Sequence, residues 1–305
     1  MNKKFLASCI GLSLLAAQVQ ADYLVDLQLE LSSSSGEFEY DDSRFDDLDT
    51  ESNGSDISGT VFFSRVSTEN TPIREAAFLS HNSSVTVGRS ALETDFEYRW
   101  GDVTDKTNEI GVSGRFVIPG PSIILIAGLS EGENKFGSGT DRDVDSYQLG
   151  GGWYITDQSA LTLTYTESEY EPQRSNAKLE DSEWFDVNYR QVMKLGSSQH
   201  LAFHVTVGTF DDGYGYDEVS VGGGVVWYLS NQFGLGVSVL SSSGDRDNYE
   251  ESSFELTPYI SYDFSENFGI YGELNILGRE IDSDFAGDDI EYAEAGITFG
   301  ANARF

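Results

Sequence analysis

Residues 290–305 read IEYAEAGITFGANARF. From Ala295 onward the odd positions (Ala295, Ile297, Phe299, Ala301, Ala303, Phe305) are apolar, and the even ones (Gly296, Thr298, Gly300, Asn302, Arg304) are small or polar. Strict alternation is the pattern of a β-strand whose two faces meet different surroundings. The chain stops on this strand, although termini ordinarily fray. A sheet closed on itself gives such a strand a partner, because its last strand must pair with its first. The stretch therefore predicts a closed barrel. Its expected partner is 23–31 (YLVDLQLEL), where Tyr23, Val25, Leu27, Leu29 and Leu31 alternate with Asp26, Gln28 and Glu30.

Between these ends, alternating segments recur at a steady pace: 57–66, the short and imperfect 85–90 joined with 95–100 as one bent strand or standing apart from it, 110–118, 122–129, 144–155, 160–170, 184–193, 200–210, 218–229, 233–240, 254–264 and 268–277. The expectation is an all-β, antiparallel, up-and-down barrel of about 14 strands, within 12–16. Connectors alternate in length. The short ones are 119–121, 156–159, 194–199, 230–232 and 265–267; the long ones, 132–143, 171–181, 211–217, 243–251 and 278–289, are all acidic. Residues 32–56, rich in Ser, Asp and Glu, read as a further mobile loop. Short turns at one end and long loops at the other are what a bacterial transmembrane barrel shows. Outward aromatics gather beside the short turns (Trp153, Trp227, Phe264, Phe268, Phe305), with Phe185, Phe210 and Phe254 near the long loops. Two such bands match the aromatic girdles at lipid interfaces.

The 305 residues are 39% hydrophobic with a mean hydropathy of −0.32. Hydropathy alone would read as soluble, but a membrane strand needs lipid-facing residues only at alternate positions. After the N-terminus no apolar run approaches the roughly 18 residues of a membrane helix. The N-terminus reads as a secretory signal: Lys3 and Lys4, then FLASCIGLSLLAA, then a small-residue cleavage site at Ala21. Residues 22–305 are then a single barrel domain. Leu6-Ala7-Ser8-Cys9 matches a lipoprotein box superficially, with about four apolar residues before Cys9, too few for a hydrophobic core segment. Cys9 is the sole cysteine, so the mature chain is expected to hold no thiol, disulfide or cysteine metal site. A net charge of −34, from 18 basic and 52 acidic residues, disfavours nucleic acid as a partner. It suits a high-salt habitat as readily as a function.

One segment carries a specific resemblance. PIREAAFLSHNSSV, residues 72–85, resembles a segment of the general bacterial porin family of gamma-proteobacteria, in which a P-x-x-E-A-A-F-L run precedes a Ser-rich strand start. With the leader, the strand spacing and Phe305, the resemblance covers essentially the whole mature chain. The terminal Phe305 also resembles the C-terminal signature of Gram-negative outer-membrane barrels, which helps recruit the barrel assembly machinery. The resemblance implies an outer-membrane location and a porin's function. The implied partners are membrane lipid, the assembly machinery and small solutes; oligomerisation stays open. By physics alone, 72–79 is too apolar for a solvent loop and reads as a short helix or tucked turn under the barrel rim.

Alternation assigns the inward face. Its charged members are Asp26, Glu30, Asp186, Glu255, Asp263, Glu273 and Glu294 against Arg115, Arg190 and Arg304. Carboxylates around a pore favour cations, because a low-dielectric wall focuses their field. Ser220, Gly222 and Gly224 facing Gly234, Gly236 and Ser238 would either open the lumen or ease curvature. The three histidines, His81, His200 and His204, offer little chemistry. His204 shares the inward parity of Ala202 and Thr206, yet no G-x-S-x-G element occurs and no acid sits at a selective spacing. Zinc would need three or four converging N or S ligands. No catalytic residue, metal site or cofactor is expected. The acidic pairs (Asp41-Asp42, Asp46-Asp47, Asp141-Asp143, Asp245-Asp247, Asp282-Asp284-Asp288-Asp289) invite divalent cations such as calcium. Asp211-Asp212-Gly213 and its fellows lack the full calcium-loop spacing, which favours solvated, mutually repelling loops.

These residues lead to a passive, cation-preferring channel for small hydrophilic solutes. One alternative is a structural or surface-interaction barrel plugged by 32–56. A weaker one is an outer-membrane hydrolase acting through His204.

Overall fold

The computed structural model describes residues 22–40, 48–98, 101–137, 140–172, 181–246, 249–283 and 288–305. The strands are β1 (Asp22–Tyr40), β2 (Leu48–Ser67), β3 (Ser84–Glu97), β4 (Val103–Ile118), β5 (Ile123–Phe136), β6 (Thr140–Thr156) and β7 (Ser159–Pro172). They continue as β8 (Ser182–Lys194), β9 (His200–Asp211), β10 (Asp217–Tyr228), β11 (Phe233–Arg246), β12 (Tyr249–Ser265), β13 (Phe268–Ser283) and β14 (Asp288–Arg304). Each pairs antiparallel with its sequence neighbours, and β14 pairs with β1, closing a 14-stranded meander. The closing register runs from Asp26 opposite Arg304 to Tyr40 opposite Ile290. Beyond it, the Leu24 and Val25 amides both donate to the Phe305 carbonyl. Among the described residues, no helix is long and apolar enough to cross a membrane. The strands, 12 to 20 residues long, exceed the roughly 9–11 that a tilted membrane strand needs.

That excess corrects the loop assignments. The expected loop over 32–56 is mostly wall: β1 and β2 pair from Asp26–Thr60 up to Phe38–Leu48, with Ser32 opposite Gly54 and Ser34 opposite Ser52. The long acidic connectors at 132–143, 243–251 and 278–289 are likewise strand over most of their described length. A backbone ladder closes without apolar side chains, and Ser, Thr, Asp and Glu pair across it as polar wall above the apolar band. Thr104 donates to Asp95, and Ser52 lies 2.9 Å from Thr94.

Two side-chain orientations also differ from the alternation. A bulge in β1 shifts the register between Tyr23 and Val25, turning Tyr23 inward. There Tyr23 is buried with Phe62, Val66 and Ala76, and its ring stands 5.5 Å from Phe62. Phe210 shares the inward parity of His204, and packs on Trp184 at 5.6 Å and Tyr216 at 6.3 Å instead of joining an outer band.

Candidate functional site: the lumen and an inward-folded segment

The link between β2 and β3 lies at the short-turn end and does not run along the rim. Residues 68–83 fold into the barrel through a 3₁₀ turn (Ile73–Glu75) and the single helical turn α1 (Ala76–Leu79). Asn70 (φ 59°) and His81 (φ 52°) bring the chain in and out through left-handed corners. Pro72, Ile73 and Ala76 are almost fully buried, as suits a stretch with few polar side chains.

Anchors reach this segment from around the wall. The Ile73 amide donates to the Asn231 carbonyl in the β10–β11 turn at 3.0 Å. Arg74 Nη2 donates to the Ile270 carbonyl of β13 at 3.1 Å, with its guanidinium carbon 4.7 Å from the Tyr271 ring centroid. Glu75, 3% exposed, takes Arg190 Nη2 of β8 at 2.5 Å and the Tyr228 hydroxyl of β10 at 2.9 Å. The Tyr154 hydroxyl of β6 donates to the Phe78 carbonyl at 2.8 Å and accepts from Arg115 Nη2 of β4 at 2.7 Å. Arg115 Nη1 also donates to the Asn82 carbonyl at 3.1 Å. The His81 ring stacks on Tyr154, and its Nε2 donates to the Asp157 carbonyl. Burying polar groups is costly unless they are paired, and these contacts pair most of those the segment buries, Thr71 Oγ1 and Arg74 Nε being left without a hydrogen bond.

The inward parity of these partners identifies the inner face. Asp26, Glu30, Arg115, Asp186, Arg190, Glu255, Glu273, Glu294 and Arg304 all lie on it through the continuous cross-strand registers. They do not form one constellation. Arg304, 2% exposed, joins Asp263 at 2.9 Å and Asp26 at 3.5 Å beside Tyr23, at the closure seam. Arg115 and Arg190 hold the inward segment. Glu30 accepts from Tyr271, Glu255 from Thr257 at 3.0 Å, and Glu294 from Tyr292 at 2.5 Å.

Trp153, Trp227, Phe264 and Phe268 are exposed on the outer face near the short turns, and Phe264 stacks on Phe268 at 5.8 Å. Phe305 is half-exposed beside them in sequence parity. Of the small residues expected to open the lumen or ease curvature, Gly224 and Ser238 do lie opposite one another, and the others do not. Gly222 lies opposite Leu240, Gly234 opposite Tyr228 and Gly236 opposite Val226, so these glycines seat larger neighbours. Gly300 shows why: a Cβ there would come within 2.1 Å of Tyr271 Cζ.

Two of the cavities in the lumen take in charged residues of the inner face. One of about 540 Å³ is lined by Gln28, Glu30, Asp56, Glu109, Gln148 and Thr166, among others. The second, about 490 Å³, lies against the inward segment and includes Arg74, Glu75, Arg190, His204, Tyr259 and Glu273. His204 makes no hydrogen bond to a hydroxyl or carboxylate among the described residues. No group of three His, Cys, Asp or Glu side chains among the described residues converges as metal ligands. Asp41, Asp42, Asp46, Asp47, Asp247 and Asp284 lie outside them, as do 1–21 and Trp100. Asp212, which is described, caps its own turn by accepting from the Tyr214 and Tyr216 amides and pairs with Arg246. In that turn, burial and then the neighbouring Glu251 and Glu218 carboxylates push the Tyr216 hydroxyl's pKa upward.

Sequence reasoning missed Arg74, Glu75, Tyr154, Tyr228 and Tyr271 as functional positions. The available signal was a run of large aromatics at inward parity beside the short turns, where a narrow lumen leaves them nothing but an insert to pack on.

The family described as "Putative general bacterial porin" matches residues 3–299. No curated protein sequence matches the chain. Among solved structures, the outer membrane protein Omp33 of Acinetobacter baumannii is similar at 15% identity and a TM-score of 0.56. That match covers 93% of this chain and 99% of Omp33. A deletion mutant of the monoaromatic hydrocarbon channel TodX is similar at 9% identity and a TM-score of 0.59, covering 96% of this chain and 92% of TodX.

Proposed function

Because the chain belongs to the family of putative general bacterial porins, we propose that its barrel is an outer-membrane channel passing small hydrophilic solutes passively, with a preference for cations. The carrying observation is how the inner charges are used. Arg74, Arg190, Arg279 and Arg304 each face a carboxylate, and Arg115 faces the Asn82 carbonyl and the Tyr154 hydroxyl, one uncancelled cation against the six carboxylates that follow. Glu30, Asp56, Glu109, Glu255, Glu273 and Glu294 pair with no Lys or Arg among the described residues. Their neutral hydroxyl donors do not cancel charge, so the water-filled part of the lumen is net negative, and such a path concentrates cations.

Reconstituted in a planar bilayer under a KCl gradient, the protein is expected to give stepwise conductance with a cation-selective reversal potential. The triple variant Glu30→Gln/Glu255→Gln/Glu273→Gln should move that potential toward zero. A wild-type anion preference would remove the selectivity, and absence of any conductance would remove the channel.

A second reading, a barrel closed at its periplasmic mouth, has one observation in its favour. The inward fold of 68–83 supports it, in place of the 32–56 plug. The two readings combine if that segment sets how much current passes. Interfacial lipid suits the outer band of Trp153, Trp227, Phe264, Phe268 and Phe305, and β14 is the strand offered to the assembly machinery. The acidic loops are read as solvated. Thermal stability is expected to stay unchanged between chelator and millimolar calcium, and a rise with calcium would make them a cation site.

A further inference from the structure

The cavity beside the inward segment holds charges of both signs that the barrel does not use up. On one wall, Arg190 spends a single guanidinium nitrogen on Glu75. Its other two make no hydrogen bond among the described residues, and its side chain is 43% exposed. A guanidinium offers five donors in a fork that fits a carboxylate edge to edge. The cross-strand neighbour of Arg190 is His204, also without a hydrogen bond there. Its ring lies over Gly224, where a Cβ would come within 2.7 Å of Cε1, so glycine lets the imidazole lie along the wall.

On another wall of the same cavity stands Glu273 of β13, opposite Tyr259 of β12. Glu273 is half-buried and has no hydrogen bond or ion pair among the described residues. The nearby Arg74 is turned to the Ile270 carbonyl and Asp263 instead. Arg74 lies in the same cavity without forming an ion pair with Glu273, and a carboxylate drawn partly from bulk water with no ion pair of its own carries a cost that a cationic ligand relieves. The volume, about 490 Å³, lies in the usual range for small-molecule sites.

A donor fork and an unpaired carboxylate on separate walls of one cavity select a ligand carrying both charges. We infer that this cavity binds a small zwitterion, an aminoalkanoate. Its carboxylate takes the free edge of Arg190 beside His204, and its ammonium takes Glu273. The inference deepens the channel reading by naming a solute class. A monocarboxylate satisfies only the first wall and leaves Glu273 uncompensated; a monoamine does the reverse.

The test is calorimetric titration of the folded, detergent-solubilised protein with 4-aminobutyrate and 6-aminohexanoate, using butyrate and butylammonium as single-charge controls. One saturable site in the millimolar range is expected for an aminoalkanoate, with both controls weaker by about tenfold or more, one lost charge contact each. Glu273→Gln should weaken the aminoalkanoate about tenfold and leave butyrate unchanged. Arg190→Gln should weaken both. Arg190 also holds Glu75, so Glu273→Gln decides the matter if Arg190→Gln does not fold, folding being read from heat-modifiable gel mobility. Controls that bind as tightly as the zwitterion, no saturable binding, or an indifferent Glu273→Gln would each overturn the inference. A KCl conductance recorded alongside separates the two readings. Conductance without binding removes the zwitterion site alone, and binding without conductance removes the channel alone.

Discussion

Arg190→Ala is expected to raise single-channel conductance, or the time spent in the larger conducting state, more than any other single change in the lumen. The substitution removes the Arg190 guanidinium from Glu75, which is 3% exposed and among the described residues then keeps the Tyr228 hydroxyl alone. It also removes the guanidinium that sits 5.1 Å from the Phe78 ring centroid. A hydrogen bond to a charged group contributes about 1.5–3 kcal/mol, and the partial exposure of Arg190 argues for the lower part of that range. Each 1.4 kcal/mol is about tenfold in an equilibrium, so the docked-to-released ratio of the segment should fall by about tenfold or somewhat more. Release should be partial, because the Ile73 amide and the Tyr154 hydroxyl still hold the segment at its two ends. The double variant Glu75→Ala/Arg190→Ala should lie closer to wild type than Arg190→Ala alone, since it strands no buried charge. Bilayer recording decides it: equal conductance from wild type and a folded Arg190→Ala would mean that 68–83 does not limit the current.

What could be read from the chain followed period and parity. The alternation of 290–305 required a partner strand, and the partner is β1. Once closure holds, a two-residue period is enough to sort Arg115 from Phe116 or Asp186 from Phe185, because neighbouring strands cannot slip by one without turning lipid-facing side chains inward. Tyr23 escaped that rule through a bulge, which local sequence does not announce. The loops expected at 32–56 and 132–143 are mostly wall for a different reason: polar composition signals solvent exposure, and a barrel wall above the bilayer is exposed on both faces yet still paired. The inward segment was half legible. Its apolar run 72–79 could not be a solvent loop, but its partners sit at Tyr154, Arg190, Tyr228 and Ile270. Nothing local in sequence brings those positions together; only the closed barrel does.

The same closure concentrates stability at one pair, Asp263 and Arg304. Arg304 lies at the end of β14, with its guanidinium 2.9 Å from Asp263 of β12 and 3.5 Å from Asp26 of β1, spanning the seam where the last strand meets the first. The Arg304 and Asp263 side chains are 3% and 2% exposed, against 26% for Asp26. Breaking a buried pair from one side costs about 3–5 kcal/mol, because the surviving charge stays dehydrated. Asp263→Ala is therefore expected to cost about that much in urea unfolding and to lower the folded fraction during assembly. Asp26→Ala removes a longer, wetter contact and should cost about 1 kcal/mol. Asp263→Ala/Arg304→Ala together should be milder than Asp263→Ala alone, since no buried guanidinium is left beside Tyr23 with only the longer Asp26 contact, though Asp26 and Arg74, at 3.7 Å from Asp263, each lose a neighbour. The ordering of the three variants carries the test. If Asp263→Ala were as mild as Asp26→Ala, the seam would be held by the backbone ladder between β1 and β14, and the buried charges would be incidental to closure.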